Sequence, residues 1–360
     1  MKAALSSASH NLVSSRDAPM NNLQVNIIGK SNGAGLARDI ELLRAALCDR
    51  GHEVAVTKID SAQARRRRSI FSQLRLRAGL NRRRAQLSAA LQTADVNIML
   101  EHVWLQFLDA AKLNIAVPNP EWFDHHDRRV LQLVDQVWAK TDYTEQVFRG
   151  LGCSTTYIGF DSDDRYEAGI AKQRTYFHLA GKSSMKGTDR LLRVWSKHPD
   201  WPRLIVVQNK KKRVKLQPLP NVDLRQGYLT DEEVRSLQNQ SVFHICLSLT
   251  EGWGHYIVEA LSTAAVTVTV DAAPMNELVT PERGVLVAYR ATGTQRLATT
   301  YQFDEVQLES AIARTLSMSD DECVRIGGNA RRWFLNNKQS FSKRLEAALL
   351  ALEPGSFCKQ

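Results

Sequence analysis

No apolar stretch of the 360-residue chain approaches the ~20 residues needed to span a bilayer, which excludes an integral helical membrane protein. Its five cysteines (Cys48, Cys153, Cys246, Cys323, Cys358) are scattered, odd in number and never spaced C-x-x-C. Neither a disulfide framework nor a zinc cluster is therefore expected, and a reducing compartment is. Residues 1–22 are rich in Ser, Ala and Asn and lack an apolar core, so they are no secretory signal and read as a disordered leader on a cytoplasmic protein. With 43 % apolar and 24 % charged residues, collagen, coiled coil and wholesale disorder are excluded. Acidic residues are missing from two segments. Between Arg65 and Arg84 there are nine arginines and no acid, and Lys210–Lys215 adds five cations. Together they exceed the whole formal net charge of +10, so the rest of the chain is slightly acidic.

What is present is alternation of strand and helix signals. Leu23–Gly29 reads as a buried strand ending in a glycine turn, followed by Leu36, Ile40, Leu43 and Leu47 at helical spacing and a second strand at Glu53–Thr57. Further strands are predicted at Val96–Leu100, Ile115–Val117 and Gln136–Ala139, with a helix from Thr141. Polar residues without periodicity mark a linker at Gly159–Glu167. A second set follows, with strands at Thr175–Ala180, Leu204–Val207, Val222–Arg225, Val242–Leu247 and Val266–Val270. Its helices are predicted near Gly187–Lys197, Asp231–Gln238, His255–Thr263 and Glu305–Leu316. Two halves of this kind imply two Rossmann-like, doubly wound α/β domains facing each other across a cleft. The expected division is a leader over 1–22, a first domain over 23–165, a second over 166–338, and a last helix over 339–352 that could pack on either half.

The most informative stretch is Ser248–Ala260, SLTEGWGHYIVEA. A strand runs into the loop Glu251-Gly252-Trp253-Gly254 and then a helix carrying Glu259. Free backbone N–H groups and the positive helix end would collect at the mouth of the sheet, where an anion binds. Carboxylates only accept hydrogen bonds, so Glu251 and Glu259 suit the hydroxyls of a sugar and a ribose; a surface glutamate and a cap would show the same spacing. Ala180–Thr188, AGKSSMKGT, places Lys182 and Lys186 either side of a short turn before a helix, a reasonable diphosphate clamp or a pair of solvated lysines.

Here the sequence resembles the large retaining GT-B glycosyltransferase family with the E-x7-E motif (glycosyltransferase family 4-like, group 1). Glu251–Glu259 matches that motif, Lys182 and Lys186-Gly187 stand where the family carries Arg and Lys-Gly, and Ala273–Leu278 stands where it carries G-x-x-E. The likeness runs over roughly Leu23–Leu352 and is stronger in the second half. It implies a GT-B fold and transfer of a sugar from a nucleotide-diphosphate sugar to an acceptor hydroxyl with retention of configuration, without metal or cofactor. The acceptor would be a carbohydrate, a lipid-linked molecule or a protein. By the same likeness Glu259 would bind the ribose, and Glu251 the hydroxyls of the transferred sugar. The backbone of Gly252, Trp253, Gly254, His255 and Tyr256 would hold the sugar and distal phosphate, and Lys182 and Lys186 would stabilise the departing diphosphate. Gly227, Tyr228 and Leu229 are candidates for the base, and Gly33 and Gly35 of the first glycine turn are candidate contacts.

Many members place a first-domain histidine on the donor sugar. Here Asn119 lies near that place, with His102, His125 and His126 as alternatives. Asp161-Ser162-Asp163 could in principle hold a metal, but its place in the linker reads as a turn or cap, and no metal ligand is expected. The arginine segment, interleaved with Ile70, Phe71, Leu74, Leu76 and Leu80, fits a solvated loop or docking on an anionic membrane surface, which would put the protein at the inner face of the membrane. Nucleic acid is disfavoured because Phe71 alone could stack a base. The alternatives to a transferase are a nucleotide-sugar epimerase of the same architecture, and a basic membrane- or nucleic-acid-binding protein with an inactive site. An NAD-dependent dehydrogenase lacks its glycine fingerprint.

Overall fold

The computed structural model describes residues 22–30, 34–60, 94–208 and 218–352. Two six-stranded sheets dominate, and every pairing in both is parallel. The first has the order β2-β1-β3-β4-β5-β6, built from β1 (Gln24–Gly29), β2 (Glu53–Lys58), β3 (Ala94–Leu100), β4 (Ala111–Val117), β5 (Gln136–Ala139) and β6 (Thr155–Tyr157). The second has the order β12-β11-β10-β7-β8-β9, from β7 (Gln173–Gly181), β8 (Leu204–Gln208), β9 (Val222–Gln226), β10 (Ser241–Cys246), β11 (Val266–Val270) and β12 (Gly284–Val287). Strands such as β8 and β11 are buried along their whole length, because helices cover both sheet faces. Strand order reverses beside β1 in one sheet and beside β7 in the other, which makes a crevice at the C-terminal strand ends where open α/β sheets bind ligands.

The helices that position the crevice are α1 (Ala34–Cys48), α2 (His125–Val130), α3 (Asp142–Gly150), α4 (Thr188–Trp195), α5 (Asp231–Gln240) and α6 (His255–Ser262). After them come the short α7 (Met275–Leu278), α8 (Glu305–Ser317) and α9 (Asp320–Leu350). Local chemistry starts them where side chains can satisfy the free amides: Thr141 caps α3, and Thr230 with Glu233 forms a capping box on α5. One antiparallel hairpin, β13 (Tyr289–Gln295) and β14 (Ala298–Phe303), stands outside both sheets. Its tip reaches the first half, where the Leu297 amide donates to the Pro120 carbonyl (3.1 Å) and the Thr299 amide to the Tyr143 hydroxyl (2.8 Å).

The last helix departs from expectation. It does not begin near Gln339 but runs unbroken over Asp320–Leu350, so the division drawn at 338 falls inside it. Gly327, Gly328 and the paired asparagines suggest a break, yet packing overrides their poor helix propensity. Its first part belongs to the second half: Gly327 lies against the Ala264 backbone, and Arg331 donates to the Ser262 carbonyl at 3.0 Å while also pairing with Asp164 of the linker. Its last part reaches the first half. Asn337 and Arg344 donate to the Phe160 and Ile158 carbonyls (2.7 and 2.8 Å), Phe341 packs on Phe160, and Arg50 pairs with Glu346.

Two adjacent glycines of α9 test this docking. A Cβ at Gly327 would lie 2.3 Å from the Ala264 carbonyl oxygen, whereas Gly328 faces open space. Gly327→Ala should lower the melting temperature, while Gly328→Ala should raise stability by about 0.5–1 kcal/mol through helix propensity. Equal effects in thermal unfolding would contradict the docking described.

Candidate functional site

The loop between β10 and α6 brings Glu251 to the crevice, with Glu259 following in α6. Gly254 caps α6 with φ +88°, a conformation that favours glycine, and the α6 amides open toward the loop. Across from it the β7–α4 loop ends at Gly187, φ +68°, where a Cβ would stand 2.6 Å from the Leu247 carbonyl oxygen. The two loops are tied by the Leu249 amide donating to the Met185 carbonyl (2.8 Å). That juxtaposition places Lys186 Nζ 2.5 Å from Glu251 Oε1 and 3.4 Å from the centre of the Tyr256 ring. Ser248 Oγ donates to the same Glu251 oxygen, and lies 2.5 Å from the Tyr256 hydroxyl. Both contacts fall on Oε1, and the side chain keeps 15 % of its exposure.

Glu259, one turn into α6, is 3 % exposed. Its Oε1 is paired with Arg38 of α1, and its Oε2 accepts from Gln238 Nε2 at 3.1 Å. Arg38 also holds Asp163 at 2.7 Å. Asp161 accepts from the Ser162 amide at 2.8 Å, so both carboxylates of the Asp-Ser-Asp run have partners, one local and one on α1. Among the described residues no group of three His, Cys, Asp or Glu side chains could hold a metal ion.

The first half contributes residues that the sequence left unnoticed, all at C-terminal strand ends or on the facing helix. Buried Lys140, just after β5, pairs with Asp39 of α1 at 2.6 Å, donates to Asn119 Oδ1 at 3.1 Å and lies 4.6 Å from the centre of the Phe160 ring. Asp39 also pairs with His255 Nε2 of the second half at 2.7 Å, and Ser162 joins His255 Nδ1 (2.8 Å) to the Trp253 indole (3.0 Å). Burial alone would raise the Asp39 carboxyl, but Lys140 and His255 outweigh it and hold it at about 2. Asn119 touches Gly252 so closely that a Cβ there would lie 2.4 Å from its Oδ1. Glu101, after β3, sits at φ +66°, strained for a non-glycine residue, and burial raises its carboxyl.

The remaining expectations divide. Lys182 is exposed and has no ion-pair partner among the described residues. Gly33 lies outside the described residues, as does Arg65–Arg84, and Gly35 is exposed at the start of α1. Gly227 adopts φ +136° and Tyr228 is 93 % exposed, while Leu229 packs partly against Phe177, Ile205, Val207 and Leu237. His102 Nδ1 meets buried Asp127 at 2.8 Å, and His125 opens α2 behind the Asp124 cap. Glu277, in the G-x-x-E place, accepts the Asp142 and Tyr143 amides at 2.8 Å each and so caps α3 of the first half. Lys140 had a sequence signal: a lysine directly after an apolar strand and before the Thr141 cap marks a C-terminal strand end.

Two facing sheets, each with its strand ends turned to one crevice, define the architecture. The fold is GT-B. No family model matches the chain, and no curated protein does. Solved structures do. A glycosyltransferase from Rickettsia africae superposes with a TM-score of 0.61 at 14 % identity, over 92 % of this chain and 100 % of that one. HepE from Anabaena in complex with UDP-glucose gives 0.61 at 15 % identity over 92 % and 100 %. Sucrose-phosphate synthase from Thermosynechococcus elongatus gives 0.64 at 13 % identity over 91 % and 98 %. No described helix is long and apolar enough to cross a membrane.

Lys140→Met leaves Asp39 with one partner in a buried place and should cost about 3–5 kcal/mol. The Asp39 carboxyl is lowered from 3.8 to about 2, so its stabilisation is present above the unfolded value and lost as pH falls toward 2. Calorimetric melting against pH should show a smaller acid loss in the variant, because without Lys140 the folded Asp39 value moves back toward the unfolded one. An unchanged melting temperature near pH 7 would remove Lys140 from the junction.

Proposed function

We propose that the protein is a retaining glycosyltransferase that moves a sugar from a UDP-sugar to an acceptor hydroxyl and needs no resident metal. The observation that carries this reading is the Lys186–Glu251 pair, set between the N-termini of α4 and α6 and facing the polar strand ends of the other domain. A cation beside two helix N-termini suits a diphosphate, and a carboxylate with one oxygen committed and one open suits a sugar hydroxyl. The architecture shared with HepE, solved with UDP-glucose, supports the choice of donor.

In this reading Lys186, with Lys182 at the mouth, stabilises the charge that builds on the diphosphate as the anomeric carbon–oxygen bond breaks. Glu251 orients the transferred sugar and Asn119 approaches it from the other half. The amides of Gly252–Tyr256 hold the sugar and distal phosphate. Glu259 takes the ribose, sharing its oxygens with Arg38 and Gln238, and Gly227–Leu229 meets the base. The acceptor oxygen attacks from the face the diphosphate leaves, and the departing phosphate oxygen takes its proton, which retains the configuration. Lysine and helix termini supply the positive charge a metal would otherwise bring, and Asp163 is already neutralised by Arg38. The acceptor is a carbohydrate, a lipid-linked sugar or a protein. Docking at the inner face of a membrane through Arg65–Arg84 belongs to the same proposal.

The test is release of UDP and formation of a glycoside from UDP-glucose over a panel of acceptors, with the product anomer read by NMR. Lys186→Ala and Glu259→Ala should each lower kcat/KM by about 100-fold or more and weaken UDP-glucose binding, with folding intact. EDTA should leave the rate unchanged. Normal turnover by either variant would sink the assignment, and isomerised donor without transfer would point to an epimerase.

A further inference from the structure

One buried carboxyl in the crevice has no role in the reading above. Glu121 follows Asn119 and Pro120 in the turn after β4, and both neighbours are fixed across the domain junction. Asn119 is packed against Gly252, and the Pro120 carbonyl accepts from Leu297 of the hairpin. Glu121 is only 7 % exposed, and its Oε2 has no hydrogen-bond partner among the described residues. Buried polar atoms are almost always paired, so an orphan carboxyl oxygen held rigidly at a crevice requires an explanation. The charged groups acting on it are Glu251 from the β10–α6 loop, Lys140 after β5 and Glu101 after β3. Burial first, and then the Glu251 and Glu101 charges, push its carboxyl up to about 8, against the pull of its own backbone amide and Lys140.

A neutral carboxylic acid differs from its neighbour Glu251 in one chemical respect: it has an O–H to give. A sugar hydroxyl both donates and accepts, so it can join an acid on one side to a carboxylate on the other. We propose that Glu121 donates through Oε2 to a hydroxyl of the transferred sugar, whose own proton is directed to Glu251. The inference rests on the transferase reading and adds to it a sugar-holding residue from the first domain. It also removes Glu121 as a nucleophile, since a protonated carboxyl is a poor one. Above about pH 8 the residue ionises, loses its donor and repels Glu251, and the grip on the sugar fails.

Calorimetric titration with UDP and with UDP-glucose separates the sugar contribution from that of the nucleotide. Glu121→Ala should weaken UDP-glucose by about 10- to 100-fold while UDP stays within about twofold. Glu121→Gln, which keeps a donor but cannot ionise, should recover UDP-glucose affinity to within about fivefold. Wild-type affinity for UDP-glucose should fall as pH rises through about 8, and Glu121→Gln should lack that fall. The pH comparison stands by itself if the alanine variant does not fold. Wild-type UDP-glucose affinity in Glu121→Ala, or the same alkaline fall in Glu121→Gln, would overturn the proposal while leaving the transferase reading intact. Failure of the wild-type protein to bind either UDP or UDP-glucose would overturn both.

Discussion

The carboxylate of Asp39 is the constraint on which the crevice depends. It lies on α1 of the first half, yet it holds Lys140 beneath it and His255 of the second half across from it. Through Lys140 it fixes Asn119 against Gly252, and through His255 and Ser162 it fixes the Trp253 indole. The glycine loop that carries Glu251 is thus positioned from both domains at once. A buried charge of this kind is costly unless its partners are well placed, and here one partner comes from each half.

Burial alone does not decide the charge state of the carboxyls gathered here. Asp39 and Glu121 are both buried, and desolvation pushes both upward. Asp39 has a lysine and a histidine in direct contact and ends near 2; for Glu121 desolvation is the largest effect, the Glu251 charge adds to it, the pull of Lys140 does not offset it, and the carboxyl ends near 8. Direct ion pairing wins in the first case and like-charge repulsion adds to desolvation in the second. Desolvation acts alike on the two carboxyls, and the neighbouring charges send them in opposite directions. Such a site can offer acceptors and a donor to the same ligand.

Much of the fold was legible because parallel strands buried on both faces leave continuous apolar runs. The strand expected at Val266–Val270 is β11 itself, and that at Gln136–Ala139 is β5. Short elements were not legible. Thr155–Tyr157 is half-buried and only three residues long, and the polar hairpin Tyr289–Phe303 has no apolar alternation to reveal it. Only the last part of the long α9 was expected; its first part was missed because glycines and asparagines weaken the local signal, while its stability comes from packing against distant backbone. In the site, Glu251 and Lys186 were visible as a motif because each sits in a short glycine-bearing loop. Asp39 and Glu121 were not, and Lys140 was marked only as lying at a strand end, since their meaning arises when α1 and the strand ends converge from separate parts of the chain.

The hairpin β13–β14 bridges the halves through main-chain amides, those of Leu297 and Thr299, rather than through charged side chains. Main-chain donors are supplied by every residue except proline. Its outward face, from Tyr289 to Thr294, is exposed and takes no part in those two bonds. The outer residues take no part in the docking and can be exchanged without releasing the tip, so this exposed strand is free to diversify while the bridge stays fixed.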